Sequence, residues 1–377
     1  MPPSRVLFLA EGQLGDLLLL TPALRAMKKS FPSASIAVLV VERYASSNPR
    51  IDFGNLTATS IGRERSVLGT NSNVDELYVV NRMALRELTG MRRLSSEASI
   101  IKFLRRKQFD TVICTFREDR FALWAFLSAA KIRVGQNNQG LRWLLTNTPE
   151  IEKRDRGVLE YYCDLVRAIG ATIDSPKTDF EIPESSRRWA DEYLDSLGIT
   201  GEKKLIGIHP GATGDYKIWP PERYAELMEQ LQALPNVRVL LFKGHMDEPI
   251  IKAIRKSFRG LVFQAEARAK IGDIAALIHR CSLCISNDSG PRHLAVAVGT
   301  PSLALFRKFH DQEWGTYRET NTVATLKGSE QCSACPPGVC LDKVPDGMRF
   351  GSYCLRMITV RQVVERVNEI LNSPKQM

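Results

Sequence analysis

Short apolar segments alternate with segments of helical periodicity along this chain, and that alternation restricts the fold more than any other feature of the sequence. In the first half, apolar runs at Arg5 to Ala10 and Ile36 to Val41 enclose a helical pattern at Leu17 to Ser30. A further apolar run at Phe109 to Thr115 precedes a helical pattern at Phe121 to Ala130. Strands that alternate with helices form parallel sheets with helices on their faces. The sequence therefore predicts an α/β fold.

A second series of strands and helices follows and predicts a second sheet. The chain has 377 residues, which is more than one hydrophobic core usually organises. Between the two series, Asp174 to Ser186 is polar and contains Pro176 and Pro183, as expected of a linker. The predicted elements of the second series are strands at Leu205 to His209, Val237 to Phe242, Leu261 to Phe263, Leu283 to Ser286 and Ser302 to Phe306, and a helix at Pro221 to Gln232.

These patterns divide the chain into four predicted parts. Apolar residues at helical spacing between Thr359 and Leu371 indicate a terminal helix that needs a surface to pack on. The predicted parts are an N-terminal domain at residues 1–175, a linker at 176–186, a C-terminal domain at 187–355 and a C-terminal helix within 356–377.

The charge balance favours an anionic partner. Lys and Arg number 52 against 42 Asp and Glu, which gives a formal net charge of +10. Nucleic acid, anionic lipid and phosphorylated sugar are all compatible with such a charge. No apolar run approaches the length that crosses a bilayer, and the run Val6 to Ala10 is too short for the core of a signal peptide. We therefore expect a cytoplasmic protein.

The first chemically informative motif is EGQLGD at residues 11–16, between the first predicted strand and the first predicted helix. Ligands of open α/β sheets bind beyond the carboxyl ends of the strands, and glycines there let a substrate approach the backbone. Gly15 and Asp16 are therefore candidate site residues. Asp16 could instead act only as a cap of the following helix, because Asp favours such positions.

The motif HPGATG at residues 209–214, followed by Lys217, occupies the equivalent strand end of the second domain. Its glycines free the backbone to curl, Thr213 adds a hydroxyl group, and Lys217 supplies a positive charge suited to phosphate oxygens. This chemistry suits a nucleoside diphosphate. A tight turn with a solvated lysine is the open alternative.

The third motif is NDSGPRH at residues 287–293, between a predicted strand and a predicted helix. A turn that opens a helix presents backbone N–H groups at the positive end of the helix dipole, and such groups bind anions. Asp288, Ser289, Gly290 and His293 are therefore candidates for a diphosphate site. As alternatives, Asp288 could be only a cap and His293 only a packed helix residue.

Four of the eight cysteines crowd a stretch rich in Pro and Gly. In a cytoplasmic protein such a group favours metal binding over disulfides. The first gap of two residues suits chelation, whereas the later gaps of four and thirteen residues match no standard zinc module. Reduced cysteines in a loop are the alternative, and a metal here would be structural. The four are Cys332, Cys335, Cys340 and Cys354.

Three blocks of the sequence resemble, in the same order, the main blocks of glycosyltransferase family 9, the lipopolysaccharide heptosyltransferases. They read GQLGDLLLLTPALRAMKKSFP, HPGATGDYKIWPPERYAEL and SNDSGPRHLAVAVGTPSLALF. The resemblance covers most of the chain and includes the stretch CSACPPGVC. It implies the GT-B architecture, in which two doubly wound, Rossmann-like domains face a central cleft.

The resemblance also implies roles for individual residues. Asp16 matches the family's proposed general base, and Lys217 matches the lysine placed at the donor phosphates. The turn at residues 288–290 and His293 match the loop that binds the diphosphate and the donor sugar. Asp16 and Lys217 are thus the predicted catalytic residues.

Two further positions concern the donor. Glu248, which follows Asp247 directly, resembles the family's acidic residue that is directed at the ribose hydroxyls. The family commonly has Met or Leu before the histidine and Thr after the aspartate, where this chain has Arg292 and Ser289. Arg292 therefore adds a charge near the expected donor site.

The implied reaction is inverting transfer of a sugar onto a lipopolysaccharide core or a related glycolipid. Heptose from ADP-heptose is the favoured donor, and no metal or other cofactor is expected in catalysis. Arg120 and the basic stretch near Arg105 are expected to face the anionic acceptor. The enzyme would touch the cytoplasmic face of the inner membrane transiently, and no nucleic-acid partner is expected because no nucleic-acid motif accompanies the basic residues.

Two alternatives stay open at this point. A GT-B enzyme could use another nucleotide sugar, either as a transferase or as an epimerase. A non-catalytic protein that binds anionic glycolipid would explain the basic cluster between Arg92 and Lys107, although such a cluster is more often one solvated helix face.

Overall fold

The computed structural model describes residues 2–42, 67–81, 89–116, 118–136, 140–149, 153–199, 204–244, 247–259, 263–265, 270–308, 314–315, 317, 323–328 and 344–373. The chain divides into two compact units, Met1–Phe180 and Glu181–Met377, called unit 1 and unit 2 below. The division falls inside the segment 176–186.

Unit 1 is built on a parallel sheet with helices. Its strands are β1 (Arg5–Glu11), β2 (Ser35–Glu42), β3 (Glu76–Asn81), β4 (Thr111–Cys114) and β5 (Ile132–Val134). Its helices are α1 (Leu14–Ser30), α2 (Gly90–Lys107), α3 (Asp119–Leu127) and α4 (Lys153–Arg167). The strand order is β3-β2-β1-β4-β5, with every neighbouring pair parallel. Strand β1 is buried from Val6 to Glu11, as expected for a parallel strand covered on both faces.

Unit 2 repeats this plan. Its strands are β6 (Lys204–His209), β7 (Val237–Phe242), β8 (Phe263–Ala265), β9 (Leu283–Asn287), β10 (Ser302–Phe306) and β11 (Val323–Lys327). Its helices are α5 (Glu184–Ser196), α6 (Pro221–Gln232), α7 (Glu248–Ser257), α8 (Ile271–Arg280), α9 (Gly290–Ala297) and α10 (Val360–Asn372). The strand order is β11-β10-β9-β6-β7-β8, again with parallel neighbours. Both units thus have the order of a Rossmann-like fold.

Helix α10 completes the core of unit 2. Thr359 caps it, because its hydroxyl accepts the N–H of Gln362 while the Gln362 side chain accepts the N–H of Thr359. A cap of this kind stabilises a helix by about 1 kcal/mol. Val363 and Val367 are fully buried, and the helix packs against α6. The predicted terminal helix is therefore confirmed, and its packing surface belongs to unit 2.

Some boundaries in the structure differ from the predicted ones. Of the strand predicted at 261–263, residues 261 and 262 lie outside the described residues, and the described strand is Phe263–Ala265. The helix predicted to reach Ala130 ends at Leu127, because Ala129 takes a left-handed φ of 66° that interrupts the helix. The last three residues of the predicted linker, 184–186, form the first turn of α5, whose Ser186 is buried.

In the part of the chain that the structure describes, no helix has the length and apolar character needed to span a bilayer.

Candidate functional site

The strand order places the first motif at the topological switch point of the sheet in unit 1. It places the second and third motifs at the switch point of the sheet in unit 2. In unit 1 the order reverses between β1 and β4, and in unit 2 it reverses between β6 and β9. Ligands of such sheets bind beyond the carboxyl ends of the strands at this point. The motif at 11–16 follows β1, and the motifs at 209–214 and 287–293 follow β6 and β9. Strands β6 and β9 pair with His209 opposite Ser286, so the two loops of unit 2 start side by side.

In unit 1, Asp16 lies in the first turn of α1. The N-cap of this helix is Gln13, whose side chain makes no capping hydrogen bond, so Asp16 is not the N-cap residue. Asp16 is buried, and the adjacent Gly15 is half-buried. A carboxylate in the first turn is stabilised by the positive end of the helix dipole. This placement puts the Asp16 carboxylate just beyond the carboxyl end of β1.

Arg120, the predicted acceptor contact, lies in the first turn of α3 after the neighbouring strand β4. Its Nε atom is 3.4 Å from Oε1 of Glu97 on α2, and its side chain is largely buried. Oε2 of Glu97 accepts the indole N–H of Trp124 at 2.7 Å. Arg120 is therefore held between two helices by Glu97, and an anionic acceptor would have to compete with this carboxylate.

In unit 2, Asn287 at the end of β9 connects the two glycine-containing loops. Its Oδ1 atom accepts the backbone N–H of Trp219 at 3.1 Å and the hydroxyl of Tyr224 at 3.0 Å. Its Nδ2 atom donates to the carbonyl oxygen of Pro210 at 2.7 Å. All of these groups are buried, so the loss of any one of these hydrogen bonds would leave a buried polar group unpaired and lower the stability. Asn287 thereby fixes the position of one loop relative to the other.

Lys217 and Asp288 lie together at these loops. Lys217 ends a short 3₁₀ helix, Asp215–Lys217, and its Nζ atom is 3.3 Å from Oδ2 of Asp288. The lysine side chain keeps about a fifth of its surface exposed, whereas Asp288 is nearly buried. Asp288 therefore holds the ammonium group at the mouth of the loop, where an incoming phosphate oxygen could reach it. Thr213, in the same loop, is exposed.

Ser289 and Gly290 form the start of α9. Ser289 is the N-cap residue, with extended backbone, and its side chain makes no capping hydrogen bond. Pro291 lies in the first turn, where its missing N–H costs nothing. The backbone N–H groups of a helix start favour a bound anion, and the eight residues of α9 supply the dipole.

His293 is buried one turn into α9. Its Nδ1 atom is 3.0 Å from the hydroxyl of Tyr317. Burial lowers the pKa of His293 to about 3, and the nearby Arg292 contributes to this shift. The imidazole is therefore neutral at physiological pH, and it can serve a donor molecule only through hydrogen bonds or packing.

Arg292 is also buried. Its guanidinium lies 4.7 Å from the ring centroid of Phe306 and 5.1 Å from that of Tyr317. Nη1 donates to the carbonyl oxygen of Trp314 at 2.9 Å, while Nε and Nη2 have no hydrogen-bond partner among the described residues. Burial lowers the pKa of this arginine. The additional charge near the donor loop is thus held mainly by aromatic faces.

The acidic residues after β7 separate into two environments. Glu248, the predicted ribose contact, opens α7 with a side chain that is 65% exposed and paired with Lys243. This ion pair lowers the pKa of Glu248. Asp247 is buried and faces the loop after β6: its Oδ2 atom is 3.1 Å from Nε2 of His209 and accepts the N–H of Gly244 at 2.6 Å. The structure therefore brings Asp247, and not Glu248, to the strand-end cluster.

Gly211 gives Asp247 the space that it occupies. A Cβ atom at Gly211 would lie 2.0 Å from Oδ1 of Asp247, which is an impossible approach. The other ring nitrogen of His209, Nδ1, lies 3.5 Å from the hydroxyl oxygen of Ser289. The residues predicted from the sequence do not include His209, Asp247 or Asn287. A signal was present, because His209 and Asn287 each end an apolar strand inside a motif already singled out.

The cysteine stretch lies mostly outside the described residues, which include none of Cys332, Cys335 and Cys340. Cys354 is buried, with its Sγ atom 3.5 Å from the hydroxyl of Ser352. Within the described ranges, His, Cys, Asp and Glu side chains form no group of three that could hold a metal ion.

The segment before Cys354 contacts the lysine turn. Gly351 donates its N–H to the carbonyl oxygen of Asp215 at 3.0 Å, and Ser352 donates to that of Tyr216 at 3.1 Å. The Arg349 Nε atom donates to the Asp215 carboxylate at 3.1 Å. The C-terminal segment therefore supports the turn that carries Lys217.

The sequence is similar to those of two curated bacterial transferases. Lipopolysaccharide heptosyltransferase 3 of Escherichia coli is 23% identical over 299 residues, which cover 78% of this chain and 80% of the relative. Lipooligosaccharide heptosyltransferase 2 of Haemophilus influenzae is 27% identical over 281 residues, which cover 71% of this chain and 78% of the relative.

The fold is similar to those of solved glycosyltransferases. A glycosyl transferase family 9 protein from Veillonella parvula has a TM-score of 0.76 at 23% identity and covers 98% of this chain and 97% of its own. The E. coli heptosyltransferase WaaC with ADP-2-deoxy-2-fluoro heptose has a TM-score of 0.68 at 16% identity, with coverages of 97% and 99%. The iron-containing dodecameric glycosyltransferase TibC of E. coli has a TM-score of 0.53 at 14% identity, with coverages of 98% and 76%. These likenesses confirm the predicted α/β, GT-B fold class.

A family model agrees with these comparisons. The model described as glycosyltransferase family 9 (heptosyltransferase) matches residues 98–343, which is most of the chain and contains the second and third motifs. Those motifs are the ones whose side chains the structure gathers at the switch point of unit 2. The chain therefore belongs to glycosyltransferase family 9 and is a glycosyltransferase.

Proposed function

We propose that this enzyme transfers heptose from ADP-heptose onto a lipopolysaccharide core or a closely related glycolipid, with inversion at the anomeric carbon. The relatives named heptosyltransferase support the reaction, and the ADP-heptose analogue bound to WaaC supports the donor. The observation in this chain that carries the proposal is the Lys217–Asp288 pair beside the start of α9, because it combines a positioned cation with helix N–H groups at a strand-end switch point.

The reaction divides the roles between the two units. The Asp16 carboxylate takes the proton of the acceptor hydroxyl as its oxygen forms a bond to the anomeric carbon. The bond between that carbon and the diphosphate oxygen breaks, and ADP leaves with the electron pair. Lys217 and the N–H groups of Ser289 and Gly290 stabilise the negative charge that grows on the leaving diphosphate. Because residues of the chain stabilise the charge of the leaving diphosphate, we propose a reaction without a catalytic metal ion.

The remaining donor contacts are assigned to residues that surround this pair. Gly15 leaves room for the substrate near Asp16, and Thr213 offers its exposed hydroxyl to the donor. Neutral His293 is assigned to the donor sugar, and the exposed Glu248, which is paired with Lys243, is assigned to a ribose hydroxyl. Arg120 contacts the anionic acceptor in exchange for Glu97.

The location proposed for the enzyme is the cytoplasmic side of the inner membrane, with transient peripheral contact. A lipid-linked acceptor must be reached at a bilayer, and the net charge of +10 favours an anionic surface.

The cysteine stretch is proposed to hold a structural metal. Four thiolates from Cys332, Cys335, Cys340 and Cys354 form a donor set suited to zinc or iron. The description of TibC as iron-containing supports iron as one candidate. A metal held there would stabilise the segment whose residues 349–352 support the Lys217 turn.

The deciding experiment offers the purified enzyme a panel of nucleotide sugars with a delipidated core oligosaccharide. Mass spectrometry of the products should show one added heptose with ADP-heptose, and NMR of the product should show inverted anomeric configuration. Heptose transfer that is absent with every core acceptor, together with efficient transfer of another sugar, would overturn the donor assignment.

A further inference from the structure

Three large apolar side chains are exposed close together on unit 1. They are Leu123 and Phe126 on α3 and Trp143 on the short 3₁₀ helix Arg142–Leu144, with exposed fractions of 39%, 46% and 73%. Leu123 and Phe126 are three residues apart, so they share one face of α3. Soluble proteins seldom group large apolar side chains at the surface without a partner for them. We call these three residues the aromatic patch.

Arg133 connects the two parts of the aromatic patch. Its guanidinium carbon lies 5.6 Å from the ring centroid of Phe126. Its Nε atom donates to the carbonyl oxygen of Leu144 at 2.6 Å, and Leu144 directly follows Trp143. The same arginine therefore contacts the ring on α3 and the backbone next to Trp143, and so links the two elements that carry the aromatic patch.

Positive side chains border the aromatic patch. Lys131 and Arg142 are exposed on the loop after α3 and on the 3₁₀ helix. From α2, the Nε atom of Arg105 donates to the carbonyl oxygen of Leu127 at 2.7 Å, which places this exposed arginine at the C-terminal end of α3.

The acidic side chains of these elements have partners of their own. Glu97 is paired with Arg120 and Trp124. Asp119, in the first turn of α3, accepts the N–H of Leu141 at 2.9 Å, at the start of the 3₁₀ helix. The acidic group therefore lies towards the N-terminal end of α3, and the border of the aromatic patch at the C-terminal end of α3, with Arg105 and Lys131, is cationic.

We infer that the aromatic patch and its cationic border bind the surface of an anionic bilayer. Tryptophan favours the level of the lipid headgroups, where its amphipathic ring is most stable, and phenylalanine and leucine insert at the boundary with the acyl chains. Arginine and lysine next to them attract anionic headgroups, with about a fivefold gain in partitioning for each cation near the surface. Aromatic and arginine side chains are also enriched in protein interfaces, so a protein partner is the other outcome that the test distinguishes.

This inference rests on the proposed function in one respect, since a lipid-linked acceptor explains why the enzyme needs a bilayer contact. It adds a surface made of residues that have no part in the proposed reaction. It also differs from the predicted acceptor contact at Arg120, whose side chain is largely buried and paired with Glu97.

The test measures sedimentation of the full-length protein with vesicles of phosphatidylcholine alone and of phosphatidylcholine with phosphatidylglycerol. We expect binding to the anionic vesicles and little to the neutral ones. The double variant Phe126→Ala, Trp143→Ala should lower partitioning by about tenfold or more. Lys131→Glu and Arg142→Glu should each lower it by about fivefold or more.

Matched controls lie on unit 2. Met348→Ala removes an apolar side chain that is 52% exposed, and Arg361→Glu reverses an exposed charge on α10. Both should leave partitioning unchanged. Quenching of tryptophan fluorescence by brominated lipid should be seen in the wild type and be lost in Trp143→Phe, even though four other tryptophans remain.

Transfer to a delipidated oligosaccharide separates this inference from the proposed function. The patch variants should keep wild-type transfer to that acceptor, which also shows that they are folded. Wild-type vesicle binding without any heptose transfer would overturn the proposed function alone. Full vesicle binding by the patch variants, or self-association that the same substitutions abolish, would overturn the membrane surface.

Discussion

The Nε2 atom of His209 lies 3.1 Å from Oδ2 of Asp247, and this buried pair joins the loops that follow β6 and β7. Asp247 also accepts the N–H of Gly244, and the missing side chain of Gly211 leaves space for its carboxylate. These contacts lie beside Ser289 at the start of α9. The pair therefore fixes the positions of the loops that border the proposed diphosphate site.

The first prediction tests this arrangement with Gly211→Ala. The new methyl group must displace the Asp247 carboxylate, so the free energy of unfolding should fall by about 1–3 kcal/mol. ADP affinity, measured by calorimetry, should fall with it. In an Asp247→Ala background the methyl group has room, so Gly211→Ala should then lower the free energy of unfolding far less. Additive effects of the two substitutions would show that the steric argument is wrong.

The second prediction concerns Asp16. Asp16→Asn removes the proton acceptor but keeps the size of the side chain, so kcat should fall by about 10²- to 10⁴-fold. ADP affinity should stay near the wild-type value, because the carboxylate acts on the acceptor hydroxyl. A loss of ADP binding as large as the loss of rate would place Asp16 in the donor site instead.

The third prediction concerns Lys217. Lys217→Met should weaken ADP binding by about tenfold or more and should flatten its dependence on salt, since the lost contact is a charge pair. Lys252→Met removes an exposed lysine of α7 in the same unit and serves as the control. If both variants bind ADP equally well at low ionic strength, Lys217 has no contact with the diphosphate.

Much of this arrangement could be predicted from the sequence, because buried parallel strands are continuous apolar runs. Strands β3, β5 and β11 are absent from the prediction. Strand β11, for example, is an edge strand whose residues are mostly half-buried, so its apolar pattern is weak. Helix α2 has only Ile100 and Leu104 fully buried, which is too weak a pattern for the core-facing stripe of a helix.

The site residues, like the strands, could be predicted only where the local sequence pattern was distinctive. Residues next to glycines at strand ends could be found from their motif. The contact between His209 and Asp247 could not, because it joins two different strand ends and depends on the order in which β6 and β7 pair. Asp247 and Glu248 are adjacent in sequence but face different surroundings, because Asp247 is the N-cap residue of α7 and Glu248 is its first helical residue.

The fourth prediction concerns the proposed metal at the cysteine stretch. Chelation should lower the melting temperature, and it should also weaken ADP binding, because residues 349–352 support the Lys217 turn. The kcat of donor-saturated enzyme should stay unchanged. Elemental analysis of anaerobically purified protein should find stoichiometric zinc or iron, and neither metal being present would overturn the site.

The last prediction uses the titration of His293. Its pKa is about 3 in the folded protein and about 6.5 in an unfolded chain. Between these values the unfolded chain binds a proton at this residue and the folded protein does not. The stabilisation from neutral His293 is therefore complete above pH 6.5 and is lost as the pH falls towards 3. The slope reaches about 1.4 kcal/mol per pH unit.

Urea denaturation between pH 5 and 7 avoids most of the titration of unfolded-chain carboxylates, near pH 4, and comparison with His293→Gln separates this contribution from that of the four other histidines. His293→Gln should flatten the dependence of the free energy of unfolding on pH in that range. Tyr317→Phe removes the hydroxyl that bonds Nδ1 but keeps the buried imidazole, so its slope should match the wild type. An unchanged slope in His293→Gln would mean that another group titrates there and that the imidazole is not held neutral by burial.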